Sequence, residues 1–162
     1  MNATLTRYTP FSLTQDEKIV LAEELHDLFN WFQPDSDIDT IIRMIAKNEE
    51  TFVLVARQQN KLAGFLIANY RRANSIKVFY LSGILVDASM WCKGIAGQLL
   101  SEALKGQIGV EYLAAHTQNP TIYRLLQKQF GSQNVFPQED TVVPSEVLQV
   151  ALAIDGDKVG SD

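Results

Sequence analysis

The chain has 162 residues, 46% of them hydrophobic and 20% charged, which is enough apolar side chain for the core of one domain and too much for a disordered tail protein. Nine Gly and five Pro exclude collagen-like and low-complexity readings. With 14 basic against 19 acidic residues, the net charge of −5 sets the whole-molecule field against a polyanion, so no nucleic-acid partner is expected.

Weak alternation through Leu5, Arg7, Tyr8 and Phe11 predicts an opening strand. Thr14-Gln15-Asp16-Glu17 has the form of a capping box, after which Leu21, Leu25, Leu28 and Phe32 mark the apolar stripe of a helix closed by Pro34. A second helix is predicted from Ser36 to about Asn48, with Ile38, Ile41, Ile42 and Ile45 on one face. The period then changes. Residues 52–57 and 62–68 read as an antiparallel hairpin about Gln58-Gln59-Asn60-Lys61, and a polar turn from Arg71 to Lys77 leads into a strand over 78–86. Gly83 inside that strand suggests a bulge or a close backbone approach by a ligand. A helix carrying Leu99, Leu100, Ala103 and Leu104 follows, then a short strand over 110–115. Another helix is capped by Asn119 with Pro120 at its first position. Residues 135–136 and 147–154 are expected to form a last strand pair. The order gives a mixed α/β sheet.

No repeat or linker interrupts the pattern, so one domain over 1–154 is expected, with 155–162 as a small, charged tail. The longest apolar runs are about half the ~20 residues a membrane helix needs, and Met1-Asn2-Ala3-Thr4 lacks the layout of a signal peptide; a cytoplasmic location with no membrane partner is expected. Cys92 is the only cysteine and His26 and His116 are far apart, so neither a disulfide scaffold nor a zinc site is expected.

The chemistry is concentrated between Leu81 and Leu104. A helix start offers bare N–H groups and the positive end of a dipole to a diphosphate, provided the nearby residues are small, as Gly94, Ala96 and Gly97 are. Plain turn glycines are the alternative. There is no Gly-Lys-Ser/Thr of a Walker loop, and the dinucleotide glycine fingerprint is incomplete.

The stretch Val86-Asp87-Ala88-Ser89-Met90-Trp91-Cys92-Lys93-Gly94-Ile95-Ala96-Gly97 resembles the acyl-CoA motif of the GNAT acetyltransferase superfamily, Gln/Arg-x-x-Gly-x-Gly/Ala after a strand ending in Val. It matches at Gly94 and Ala96 and departs at Trp91. Asn119-Pro120-Thr121-Ile122-Tyr123 resembles the family's second helix start. The resemblance implies a mixed, mostly antiparallel sheet with splayed central strands flanked by helices, the GNAT-like acyl-CoA N-acyltransferase fold. It implies acetyl-CoA as acyl donor, no metal, and an amine acceptor. Ile84, Leu85 and Val86 would line the pantetheine arm; Trp91, Cys92, Lys93, Gly94, Ile95, Ala96 and Gly97 would hold the diphosphate; Asn119 and Tyr123 would flank the arm. Lys93, Arg124 and Lys128 are either contacts for the adenosine 3′-phosphate or solvated cations.

An amine of pKa about 10.4 is neutral in roughly one molecule per few thousand at pH 7, so transfer needs a base. His116, just past the short strand, is the candidate, with Glu111 more remote. The thiolate-protonating Tyr of many family members would fall seven residues after Asn119, where this chain has Leu126; Tyr123, one turn earlier, is the substitute, or else a core tyrosine. His26 and Cys92 read as a solvated side chain and a loop residue. Asp35, Asp37 and Asp39, with Glu139 and Asp140, suggest acidic rims for a cationic acceptor, although helix caps explain the first group equally. The alternative to a small-molecule or peptide N-acetyltransferase is an acyl-CoA-binding sensor or partner module with weakened catalysis. A homodimer through an edge near the final strand remains open.

Overall fold

A computed structural model describes residues 3–156; Met1, Asn2 and residues 157–162, with most of the expected tail, lie outside the described residues. Five strands form one sheet in chain order: β1 (Thr4–Tyr8), β2 (Phe52–Gln58), β3 (Lys61–Ala73), β4 (Ile76–Val86) and β5 (Val110–Ala115). The helices are α1 (Gln15–Phe32), α2 (Ile38–Ile45), α3 (Ile95–Leu104), α4 (Pro120–Phe130) and α5 (Ser145–Gly156). β1, β2 and β3 pair antiparallel. β4 reaches its neighbour β5 through α3, the crossover that parallel strands require, so the sheet is mixed.

The chain forms two compact units. One holds the residues up to Asn69 together with Leu81–Gly106; the other holds Tyr70–Tyr80 and the residues from Gln107 onward.

In the first unit, the capping box opens α1 as expected. The Thr14 N–H and the Thr14 hydroxyl both donate to Glu17 Oε2 at 2.8 Å, which holds the Glu17 carboxyl below its ordinary range, and the Glu17 N–H donates back to Thr14 Oγ at 3.3 Å. The α1 stripe is Leu21, Leu25, Leu28 and Phe29, not Phe32, which is 59% exposed on the last helical residue. Phe29 stacks on Phe65 of β3 with ring centroids 5.9 Å apart. Ile41 and Ile45 of α2 and Val53, Val55, Phe65 and Ile67 of the sheet complete this core. α2 starts two residues later and ends three earlier than the sequence suggests, because Asp37 is its cap, accepting from the Thr40 N–H at 2.7 Å. His26 is half-buried, not solvated: its Nε2 lies 3.1 Å from the Ser36 carbonyl and the Asn30 amide sits against the ring.

Arg57 ties three elements together. Its guanidinium grips both oxygens of Glu24 on α1 at 2.6 and 2.7 Å and donates to Thr6 and Tyr8 of β1. The hydrogen bonds to Glu24 hold the Arg57 pKa far above its ordinary value. The forked geometry and partial burial place this ion pair above ordinary surface pairs. Arg57→Met should therefore lower unfolding stability by about 1–3 kcal/mol in urea titration, and a loss indistinguishable from zero would show the pair to be ornamental.

Two hairpin turns are tighter than expected. Gln59 and Asn60 both have positive φ, the conformation that two-residue hairpins use, and Arg71, Arg72 and Lys77 belong to strands around a turn at Asn74-Ser75, where Asn74 is left-handed. In the second unit the expected last strand pair is absent. Residues 145–156 form α5, so Asp155 and Gly156 are helical rather than tail, and Val135 only follows a 3-10 turn over Ser132–Asn134. Val150 and Ile154, four apart, enter the core beside Val78 and Tyr80, while Leu148 and Leu152 face outward. A short apolar run such as Val147-Leu148-Gln149-Val150-Ala151-Leu152 fits either period, and its Leu, Ala and Gln content favours the helix.

Candidate functional site

Two neighbouring features shape the end of β4 in the first unit. The Asp87 N–H donates to the Ala63 carbonyl at 2.9 Å, and a Cβ on Gly64 would lie 2.7 Å from the Leu85 carbonyl oxygen, so β3 and β4 approach here as only glycine allows. Farther up β4 the side chains slip. Phe65 and Ile67 face α1 and α2, so alternation puts Asn69 on the same side, and Asn69 Nδ2 donates to Ser82 Oγ at 3.0 Å. Leu85 packs into the same cluster. Ser82 and Leu85 are three residues apart, whereas strict alternation returns to one face only at even separations. The strand therefore slips by one residue at Gly83-Ile84, the irregularity that Gly83 announces. No atom lies within 4 Å of where a Gly83 Cβ would sit. Residues 82–86 are all half-buried, in contrast to the fully buried run Ala63–Asn69.

Beyond Val86 the chain makes a 3-10 turn (Ala88–Met90) and enters α3. Asp87 opens that turn, accepting from the Ser89 N–H at 2.9 Å and from the Ser89 hydroxyl; these bonds, with Lys93 nearby, hold its carboxyl below the usual range. Trp91 does not point its N–H at the helix start. The indole donates to the Val86 carbonyl at 3.0 Å, and its ring meets Trp31 of α1 edge to face at 5.6 Å, both rings remaining more than half exposed. One lone pair of the Val86 carbonyl is thus already engaged.

Cys92 and Gly94 are both left-handed, with φ of 61° and 77°, a geometry that turns successive N–H groups to one side. Gly94 is the N-cap of α3 and brings no side-chain cap. Its carbonyl accepts the first helical bond from the Gln98 N–H at 3.0 Å. Among the described residues no acceptor takes the N–H of Cys92, Gly94, Ile95, Ala96 or Gly97. The side chain of Ile95 is buried, so Ile95 can serve a ligand only through its backbone, while Cys92, Lys93 and Gly94 are exposed. Lys93 Nζ lies 3.6 Å from the Met90 sulfur, leaving its charge at the rim. Gly94, Gly97, Gln98 and Ser101 open onto a groove of about 480 Å³. With five free donors, a helix dipole and no Cβ at the apex, this turn is built to receive an anion.

A second cavity of about 350 Å³ lies against α1 and is lined by Glu24, Asp27, Leu28, Trp31 and Asp87. Glu24 is spent on Arg57 and Asp87 on Ser89, and the third carboxylate, Asp27, lies 3.8 Å from His26 Nδ1.

In the second unit, Asn119 caps α4 by accepting from the Thr121 N–H at 2.9 Å, with Pro120 at the first position as expected. The Tyr123 hydroxyl donates to the Pro137 carbonyl, and Leu126 is buried. His116 is exposed immediately after β5, and Glu111, Arg124 and Lys128 are exposed as well. Among the described residues no group of three or more His, Cys, Asp or Glu is arranged to hold a metal, and no helix is long and apolar enough to cross a membrane. Asn69, Ser82 and Trp31 belong to no motif that marks them in the sequence. The one available signal was a lone Asn ending the apolar run Phe65-Leu66-Ile67-Ala68.

The acetyltransferase (GNAT) family model matches residues 18–131, and the chain belongs to that family. No curated protein matches it. Among solved structures it is similar to an aminoglycoside acetyltransferase from an uncultured soil metagenomic sample in complex with sisomicin, at TM-score 0.61 and 15% identity, covering 88% of this chain and 95% of that one. It is also similar to a ribosomal-protein-alanine N-acetyltransferase from Brucella melitensis biovar Abortus 2308, at TM-score 0.61 and 18% identity, covering 88% and 98%. A third is the aminoglycoside N-acetyltransferase AAC(6')-Iy in complex with CoA, at TM-score 0.59 and 19% identity, covering 89% and 95%. At these identities the likeness is one of fold.

Proposed function

We propose that the chain transfers an acetyl group from acetyl-CoA to the primary amine of a small molecule or peptide. The observation that carries this reading is the set of five unclaimed N–H groups between Cys92 and Gly97, at the place where the family motif holds a diphosphate. The pantetheine arm then lies along β4 from Val86 back toward Ser82, with Ile84 offering its backbone groups and Val86 its remaining lone pair. By the resemblance to the family motif, Asn119 and Tyr123 are assigned to the same arm. Trp91 supplies no charge to the phosphates, so the backbone donors and Lys93 carry that task.

The amine arrives mostly as an ammonium, and His116 is the base that takes its proton. The nitrogen lone pair forms the new bond to the acyl carbon, the C–S bond breaks, the thiolate leaves with the electron pair, and the second proton lost by the nitrogen goes to that thiolate. By their names, the solved structures of this fold act on groups as different as an aminoglycoside and a ribosomal-protein alanine, so the fold does not select one acceptor. The exposed carboxylates Asp35, Asp39, Glu139 and Asp140 favour a cationic acceptor by their charge; Asp37 is already committed as a cap.

The second reading, an acyl-CoA-binding module with weakened catalysis, is favoured by Tyr123, whose proton is committed to Pro137, and by the buried Leu126. Turnover of acetyl-CoA across a panel of polyamines, aminoglycosides and peptide amines separates the two, and Tyr123→Phe refines the result. If Tyr123 protonates the thiolate, kcat falls by roughly 10²-fold or more. If the hydroxyl only anchors the 137 segment, the loss is about 1 kcal/mol of stability with kcat intact. No turnover with any amine, alongside normal CoA binding, leaves only the module.

A further inference from the structure

Asn69 is 1% exposed, yet its Oδ1 has no hydrogen-bond partner among the described residues. A buried amide with one end unpaired is destabilising, and in the row Phe65, Ile67, Asn69 an aliphatic side chain would occupy the place without that cost. The single bond shown for the Asn69 side chain is the one from Nδ2 to Ser82 Oγ at 3.0 Å. That bond uses a lone pair of the hydroxyl and leaves the Ser82 proton uncommitted, and Ser82 is half-buried at the slip in β4. The four residues from Val86 back to Ser82 span about 13 Å of strand. An arm anchored beyond Val86 and extended along β4 therefore brings its thioester end close to Ser82.

We propose that Ser82 donates a hydrogen bond to the acyl oxygen during transfer and that Asn69 is the residue that positions it. The proposal rests on the acetyl-transfer reading above. As the amine nitrogen bonds to the acyl carbon, the carbonyl π electrons move onto oxygen, and the Ser82 O–H donates to that oxyanion. When the carbonyl re-forms, the C–S bond breaks, CoA leaves as the thiolate, and the nitrogen's remaining extra proton passes to that thiolate. Ser82 keeps its own proton throughout. By accepting from Asn69, the hydroxyl is held in the rotamer that aims this proton away from the amide. Asn69 thus retains a stability defect in exchange for a fixed donor, as at other sites where activity and stability conflict.

The test compares Ser82→Ala, Ser82→Thr, Asn69→Leu and the double variant Asn69→Leu/Ser82→Ala, reading kcat and KM for acetyl-CoA with the best amine of the panel, together with Tm. Ser82→Ala should lower kcat by roughly 10²-fold with KM within about twofold, and Ser82→Thr, which keeps the hydroxyl, should recover most of the rate. Asn69→Leu should lower kcat by about tenfold, and the double variant should match Ser82→Ala rather than multiply the two losses. The Tm of the double variant should not fall below wild type. Should Asn69→Leu not fold, Asn69→Val carries the same comparison. Unchanged kcat in Ser82→Ala overturns the donor, multiplicative losses overturn the positioning role, and a lower Tm with normal kcat makes the pair merely structural. Failure of the transferase reading itself looks different: wild-type protein then gains no thermal stability from CoA. CoA binding without turnover removes the Ser82 role while leaving the phosphate turn in place.

Discussion

Gly94→Asp should abolish the thermal stabilisation that CoA gives the wild-type protein, and Gly94→Asn should preserve most of it. At a CoA concentration 100 times its Kd, binding adds about 2.7 kcal/mol, roughly 5–10 °C for a chain of this length. Gly94 sits at φ 77°, where Asn and Asp are tolerated better than other side chains, and no atom lies within 4 Å of the new Cβ. The two variants are therefore equally strained and nearly equal in size, and they differ in one negative charge beside the five donors. A carboxylate there competes for the same N–H groups and repels a diphosphate at a few ångströms, where little water screens it. Ala96→Glu, at the second residue of α3, should behave like Gly94→Asp. Scanning fluorimetry with and without CoA reads all four proteins, and a full CoA shift in Gly94→Asp would remove the phosphate from this turn.

The parts of this chain that could be read in advance are those where local chemistry decides the outcome. The capping box at Thr14, the Asn119-Pro120 helix start and the small residues at 94–97 each act through atoms within a few positions of one another, so the sequence order already contains the geometry. What escaped depends on distant partners. Phe32 and Phe29 fit the same helical stripe, and only the position of Phe65 on β3 selects Phe29. Residues 147–154 satisfy both a strand and a helix pattern, and the choice is made by burial of Val150 and Ile154 against Val78 and Tyr80. Trp91 was legible as a departure from the family motif, but not as the residue that closes over the Val86 carbonyl, because that requires Trp31 on a helix sixty residues earlier. The catalytic assignments depend on such distant contacts too. Nothing local to Tyr123 announces the Pro137 carbonyl that claims its proton, and nothing local to Ser82 announces the Asn69 amide.

Gly64→Ala should be the most damaging single-methyl change at the strand end that carries the phosphate turn. Gly64 has an ordinary strand conformation, so alanine meets no backbone strain of its own, and the whole effect is contact. The new methyl lies 2.7 Å from the Leu85 carbonyl oxygen and 3.2 Å from the Val86 Cα. Both are backbone atoms of β4, which cannot rotate out of the way as a side-chain tip can. The Asp87 N–H to Ala63 carbonyl bond pins the same place from the other side. Overpacking of this kind costs about 2 kcal/mol or more, or roughly 4–8 °C in Tm. Because the displaced residue is Val86, whose carbonyl holds the Trp91 indole, the movement is passed to the turn, and the stabilisation by CoA should shrink with it. Gly83→Ala is the control, since its Cβ meets open space and Tm should stay within about 0.5 kcal/mol equivalent of wild type. A Gly64→Ala protein with wild-type Tm would mean that β4 yields freely here. The close approach of β3 to Val86 would then have no part in aligning the donors between Cys92 and Gly97.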